Sequence, residues 1–128
     1  MRPDTLCTID AIAEAYGISV NHLNKVVHRA ALAGDVHTVR GQHGGLRLAR
    51  PSNEINLGAV LRRTEPDMAI APCFADEATC CIQPICALRI ALIKALDAFL
   101  SVMDQMTLAE LIRPGKQLSH LLGIEPAA

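Results

Sequence analysis

Four of the chain's five cysteines fall within fourteen residues, CFADEATCCIQPIC, from Cys73 to Cys86. Cys73, Cys80 and Cys86 are seven and then six residues apart. A loop of that length, stiffened by Pro72 and Pro84, can wrap three thiols around one metal centre. Thiolates are soft ligands that suit iron–sulfur clusters or zinc. A structural zinc site more usually carries a short C-x-x-C pair, and none is present. The spacing therefore favours an iron–sulfur cluster, with zinc and a redox disulfide switch as the alternatives. Three well-spaced thiols leave one position open or filled by a non-thiol ligand, which suits a reactive, sensing centre. Cys81 adjoins Cys80 and reads as a bystander. Cys7 reads as a small buried residue.

The chain that positions this loop has 128 residues, enough for one domain with a real core. Hydrophobic residues make up 51% but aromatics only 2%, so the core must be built from Ala, Leu, Ile and Val, which favours packed helices. No apolar run reaches membrane-spanning length, and the N-terminus, MRPDTLCTID, is no secretory signal. These features predict a cytoplasmic protein, where paired structural disulfides are uncommon. The odd number of cysteines also argues against a fully paired framework. Residues 1–50 carry a net +2 with four histidines besides, and residues 51–128 carry a net −3. A basic front on an acidic back hints at an anionic partner.

The front half alternates helix and turn signals. Thr8 caps IDAIAEAY, with Ile9, Ile12 and Ala13 on one face, and Gly17 stops it. Ser19 caps a second helix through VNHLNKVVHRAALA, with Leu23, Val26, Val27 and Ala30 inward, and Gly34 stops that. Ala13 lets the two helices approach, Gly17 makes the turn, and Leu23 fills the angle: a helix-turn-helix. VHTVR and LRLAR then alternate around GQHGG, a hairpin signal. A hairpin directly after a recognition helix is a wing. Ser19, Asn21, His22, Asn24, Lys25 and Arg29 are the candidate DNA contacts of the helix; Asn21, His22 and Lys25, near its start, would reach base edges. Arg40, Gln42, His43, Gly44 and Arg47 are those of the wing, and Arg50 adds a further donor for phosphate.

The back half begins at Pro51. SNEINLGAVLRRTEPD predicts a short helix with Ile55, Leu57, Val60 and Leu61 inward, closed by Pro66. The cysteine stretch reads as loop. From Ile85 onward, CALRIALIKALDAFLSVMDQM contains no Gly or Pro. Leu88, Leu92, Leu96, Phe99 and Met103 recur along it, widened by Ile93 and Leu100. That stripe is too apolar for a lone surface element and predicts packing against the same helix of a second subunit. Thr107 and Glu110 fit a capping box for one more short helix. The tail PGKQLSHLLGIEPAA says little.

IDAIAEAYGISVNHLNKVV, TVRGQHGGLRLARP, INLGAVLRRTEPD, the C-F…C-x-I-x-P-x-C loop and AFLSVMDQMTLAEL together resemble the NsrR family of nitric-oxide-sensing repressors. That family lies in the winged-helix superfamily that also includes the iron–sulfur regulator IscR. The likeness covers nearly the whole chain, and the R-G-x-x-G-G wing and the cysteine loop are its most specific parts. It implies a homodimer that binds promoter DNA while holding a cluster and lets go when nitric oxide destroys or nitrosylates it. It implies Cys73, Cys80 and Cys86 as the cluster ligands, with the cluster either 2Fe–2S or 4Fe–4S. The sequence also departs from the family. Relatives begin with a helix before the segment matching Arg2-Pro3-Asp4, and here Met1 sits where that helix should end. Gln42 and His43 replace an arginine-and-small-residue pair in the wing. Cys81 stands where proline is frequent.

The expected architecture is mainly α: a winged helix-turn-helix with a short two-stranded wing, a cysteine loop and a long dimerisation helix. Residues 1–50 form the DNA-binding region. Residues 51–128 hold the linker helix, the cluster loop (72–86) and the dimerisation helix, all within one compact domain. The expected function is a nitric-oxide-sensing, cluster-bearing transcriptional repressor on double-stranded promoter DNA, away from membranes; the alternative is an IscR-like sensor of cluster or redox status. No Gly-rich phosphate loop or His/Ser/Asp set accompanies the thiols, so an enzyme is not expected.

Overall fold

The computed structural model describes residues 6–41, 44–65, 67–74 and 80–123. Gln42, His43, Pro66 and the Arg2-Pro3-Asp4 segment, singled out above, lie outside them. The chain is mainly helical with one two-stranded antiparallel sheet. Its packing divides into two units. One runs to Ile55 and resumes at Thr107; the other is Asn56–Met106.

In the first unit, α1 (Ile9–Tyr16) starts where the Thr8 hydroxyl accepts from Ala11 N at 3.2 Å. It ends at Gly17, whose φ of 63° is left-handed and costs glycine nothing. The Ser19 hydroxyl accepts from His22 N at 3.5 Å and opens α2 (Val20–Leu32). The two helices meet through Ala13, Leu23 and Val27, the buried core cluster, with Ile9, Ile12, Val36 and Leu46 packed around it. Ala13 is 4% exposed and has no bulk to hold the helices apart. Val26, expected inward, is 46% exposed. Neighbouring helical positions diverge by about 100°, and Val27 takes the core-facing one.

Strands β1 (Val36–Val39) and β2 (Gly45–Leu48) pair in the register Val36↔Leu48, His37↔Arg47, Thr38↔Leu46 and Val39↔Gly45. Cys7 adds a third partner: its N donates to Leu46 O at 2.9 Å and its O accepts from Leu46 N at 2.8 Å. At the wing's base Arg50 pairs with Asp35, which is 7% exposed, and Ala49 N donates to Asp35 O at 2.9 Å. A tight turn, Ser52–Glu54, follows, then Ile55 at 3% exposure. Leu108 N donates to Ile55 O at 2.9 Å. This bond ties α5 (Leu108–Leu111) into the first unit, whereas a division at residue 50 would leave it with the back half. The capping box forms, with Glu110 Oε2 accepting from Thr107 N at 2.7 Å. The tail, unassigned from sequence, folds as α6 (Gly115–Leu121).

In the second unit, the Asn56 side-chain oxygen accepts from Ala59 N at 3.0 Å and opens α3 (Leu57–Thr64). The residues before it, assigned to the same helix from sequence, instead form the Ser52–Glu54 turn. The cysteine stretch contains two single helical turns, Pro72–Phe74 and Gln83–Ile85, and then α4 (Ala87–Asp104). The start of α3 is bonded to the end of α4. Asn56 Nδ2 donates to Asp104 O at 2.7 Å, and Arg62 holds the Asp104 carboxylate with two bonds of 2.5 and 2.9 Å. The predicted stripe of α4 splits: Leu92, Ile93, Leu96, Leu100 and Met103 are half-buried, whereas Leu88 (67%) and Phe99 (48%) are exposed, as are Ile90 and Val102.

Candidate DNA-binding surface and cysteine loop

The face of α2 opposite Leu23 and Val27 carries the candidate contacts. Asn21, His22, Asn24, Lys25 and Arg29 are all exposed, and Ser19 sits exposed at the cap. The i, i+3, i+4 spacing of residues 21, 24 and 25 places them on one face, as reading base edges from a single helix requires. A capped helix start also directs unbonded N–H groups outward, where a phosphate can accept from them.

The wing contributes Arg40, exposed just after β1, and Arg47, exposed on β2 across from His37. Gly44 is half-buried where the loop re-enters β2, and its N donates to Gly41 O at 2.8 Å. A methyl group on Gly44 would overlap Val39 O and lie 2.8 Å from Gly41 O. Both obstacles are backbone and cannot swing away. Arg50, suggested as a phosphate donor, bonds to Asp35 instead and anchors the wing. Asp35 was missed in the sequence; it closes no motif, and its partner lies fifteen residues on.

The five cysteines are free thiols. Cys7 is half-buried in its bridge to β2. Cys73 is half-buried in the Pro72–Phe74 turn, and Cys80 and Cys81 are exposed. Cys86 is half-buried and caps α4, its Sγ accepting from Arg89 N at 3.4 Å. The Arg89 guanidinium carbon lies 5.8 Å from the centre of the Phe74 ring, within cation–π range. That pair links the arm holding Cys73 to the arm holding Cys86, and no motif flagged it.

As donors these thiols suit an iron–sulfur cluster in chemical kind, soft and unpaired on one loop. Among the described residues no group of three or more His, Cys, Asp or Glu side chains converges on one point. The structure thus brings the Cys73 and Cys86 arms together through Phe74 and Arg89, and does not gather the three sulfurs around a common centre.

Among the described residues, two carboxyl groups titrate lower than usual. Asp104 is held below its ordinary 3.8 chiefly by its hydrogen bonds from Arg62, with the charge of Arg62 helping and desolvation opposing. Glu110 is held below 4.5 by the bonds from Thr107 N and Oγ1, with Arg113 adding a little. Arg62 is raised by the same bond to Asp104. Depressed carboxylates contribute stability above their unfolded pKa and lose it as pH falls through the folded one. Asp104→Asn with Glu110→Gln is therefore expected to flatten the acid side of the stability–pH curve below pH about 4.5. Urea unfolding at pH 7 and at pH 3 checks this; an unchanged acid limb would dismiss both contacts.

A family model described as "Rrf2: Iron-dependent Transcriptional regulator" matches residues 1–114. The HTH-type transcriptional regulator NsrR of Bacillus subtilis (strain 168) is 44% identical over 122 residues, covering 94% of this chain and 84% of that protein. Among solved structures, CymR (YrzC), the global cysteine regulator of B. subtilis, superposes with a TM-score of 0.64 at 27% identity, over 84% of this chain and 78% of that one. T. potens IscR gives 0.66 at 24% identity, over 88% and 72%, a likeness of fold.

Proposed function

The chain belongs to the Rrf2 family of iron-dependent transcriptional regulators, and on that premise we propose that it is an NsrR-type repressor whose signal is nitric oxide, received through an iron–sulfur cluster held by Cys73, Cys80 and Cys86. The observation that carries the reading is the 44% identity to a named NsrR along 94% of the chain, joined to four free thiols on one loop, Cys73, Cys80 and Cys86 among them. Its NsrR relatives are named as transcriptional regulators, and it is not an enzyme. No helix among the described residues is long and apolar enough to cross a membrane.

Held by Cys73, Cys80 and Cys86, a cluster would supply iron at which nitric oxide reacts. This chain's own residues do the rest. Asn21, His22 and Lys25 read base edges from α2, and Arg40 and Arg47 neutralise phosphates on either side of the wing loop. Affinity at these contacts falls steeply with salt, because each neutralised phosphate releases counterions. The exposed Leu88, Ile90, Phe99 and Val102 of α4 support docking on a second copy. A dimer sets two recognition helices about one DNA turn apart, so a small change in spacing costs much affinity.

The test is anaerobic reconstitution followed by titration with nitric oxide, watching the visible absorption and promoter gel shifts together. A brown protein bleached stoichiometrically, with DNA released in step, is the expected result. A brown protein indifferent to nitric oxide would turn the reading toward a sensor of cluster status. A colourless protein would remove the cluster from the account.

A further inference from the structure

The geometry points to Arg89 as the positioning residue of the cysteine loop: it draws the Cys73 and Cys86 arms together and holds an enclosed N–H donor for a sulfur of the thiolate-ligated centre. The inference rests on the cluster reading above and deepens it. Three observations meet on this side chain. Its guanidinium lies over Phe74, the residue after Cys73. Its backbone N donates to the Sγ of Cys86 at 3.4 Å. Its Nε is enclosed and has no hydrogen-bond partner among the described residues.

The third observation gains its meaning from where the donor lies: Arg50 Nε at the base of the wing is also enclosed and unbonded among the described residues, but of the two only Arg89 sits beside the loop thiols. A cation stacked on an aromatic ring needs no further partner for its flat faces. An enclosed N–H does need an acceptor, and buried donors left unbonded are rare. Among the described residues none is supplied to it. A centre held by three thiolates brings the missing acceptor with it: it is soft, rich in sulfur and anionic. The guanidinium then offsets charge that the thiolates add, and its N–H bonds to sulfur. Both effects raise the reduction potential of such centres, which depends on net charge and on hydrogen bonds to the sulfurs.

The sequence alone could not separate Arg89 from Lys94, the other basic residue of α4. Its significance comes from the turn at Pro72–Phe74, which returns an aromatic ring to the helix start.

The experiment uses the full chain, loaded anaerobically with iron(II) and sulfide. Iron per chain, loss of iron to a chelator and the reduction potential are measured for wild type, Arg89→Met, Arg89→Lys and Phe74→Leu. Arg89→Met is expected to hold iron about tenfold or more weakly, the range for residues that orient ligands, and its loaded fraction is expected to have a more negative potential. Arg89→Lys keeps the charge and should fall between. Phe74→Leu, which keeps the donor but frees its arm, should lose iron faster than wild type. Simple packing loss would lower loading without moving the potential of the loaded fraction. If Arg89→Met does not fold, by its circular dichroism, the lysine and leucine variants carry the test. Wild type that binds no iron overturns the cluster reading, and the role of Arg89 with it. Wild type that loads normally while the variants match it in retention and potential overturns Arg89 alone.

Discussion

Leu23→Ala is expected to destabilise the first unit by about 2–4 kcal/mol, the usual range for truncating a buried leucine. Leu23 is 8% exposed and sits in the angle between α1 and α2. The described buried apolar residues are few: Ala13, Leu23, Val27 and Ile55. A core this thin cannot share out the loss. The gap beside Leu23 faces Ala13, which has no side chain long enough to collapse into it. At this scale the melting temperature should fall by roughly 10 °C, read from the helical circular dichroism signal. A loss under about 1 kcal/mol would mean that partly buried neighbours such as Ile9 and Ile12 hold the helix angle instead. DNA affinity should fall with stability, because α2 is both the floor of this core and the candidate reading helix.

Gly44→Ala is expected to cut DNA affinity roughly tenfold or more, equal to about 1.4 kcal/mol, while the loop cysteines bind as before. The new methyl would overlap Val39 O and press on Gly41 O. Relief requires re-forming the turn between the strands, which moves Arg40, just after β1, and Arg47, paired with His37 in the ladder, off their present positions. If each arginine neutralises one phosphate, losing both should flatten the dependence of log affinity on log salt by about 2 units. Gel shifts across a salt series measure both effects. Unchanged affinity and slope would show that the wing does not touch DNA. Reduced iron loading alongside would show that the substitution had damaged more than the wing.

Much of this was legible in the sequence because local chemistry settled it. Thr8, Ser19, Gly17 and the Thr107–Glu110 pair act within a few residues of themselves, and each does what its type predicts. The wing was legible for the same reason: two alternating runs around glycines leave one sensible pairing. Helix and sheet aside, what stayed hidden depends on distant partners. Val26 and Val27 are equally apolar, and only the position of α1 decides which is buried. Arg50 looks like any wing arginine until Asp35 is placed beside it. Arg62 and Asp104 are forty-two residues apart. The start of α6 has no side-chain cap and follows a proline at its N-cap, so it lacks the usual opening signal. In the cysteine loop the residue types and spacing named the candidate ligands, but which arms lie close came only from the Phe74–Arg89 contact.

The bridge between Cys7 and Leu46 has a consequence for how force and motion pass through the first unit. The segment before α1 is not a free tail at residue 7; two backbone bonds stitch it to β2. The chain from Cys7 to Leu46 is therefore a closed circuit containing the helix-turn-helix and most of the wing. Closing a circuit of that length removes several kcal/mol of chain entropy once, on the order of (3/2)RT ln n, and thereafter its parts are no longer independent. A tug on the backbone at Leu6 is therefore shared at Cys7 between the wing strand, through these two bonds, and α1, through the chain itself.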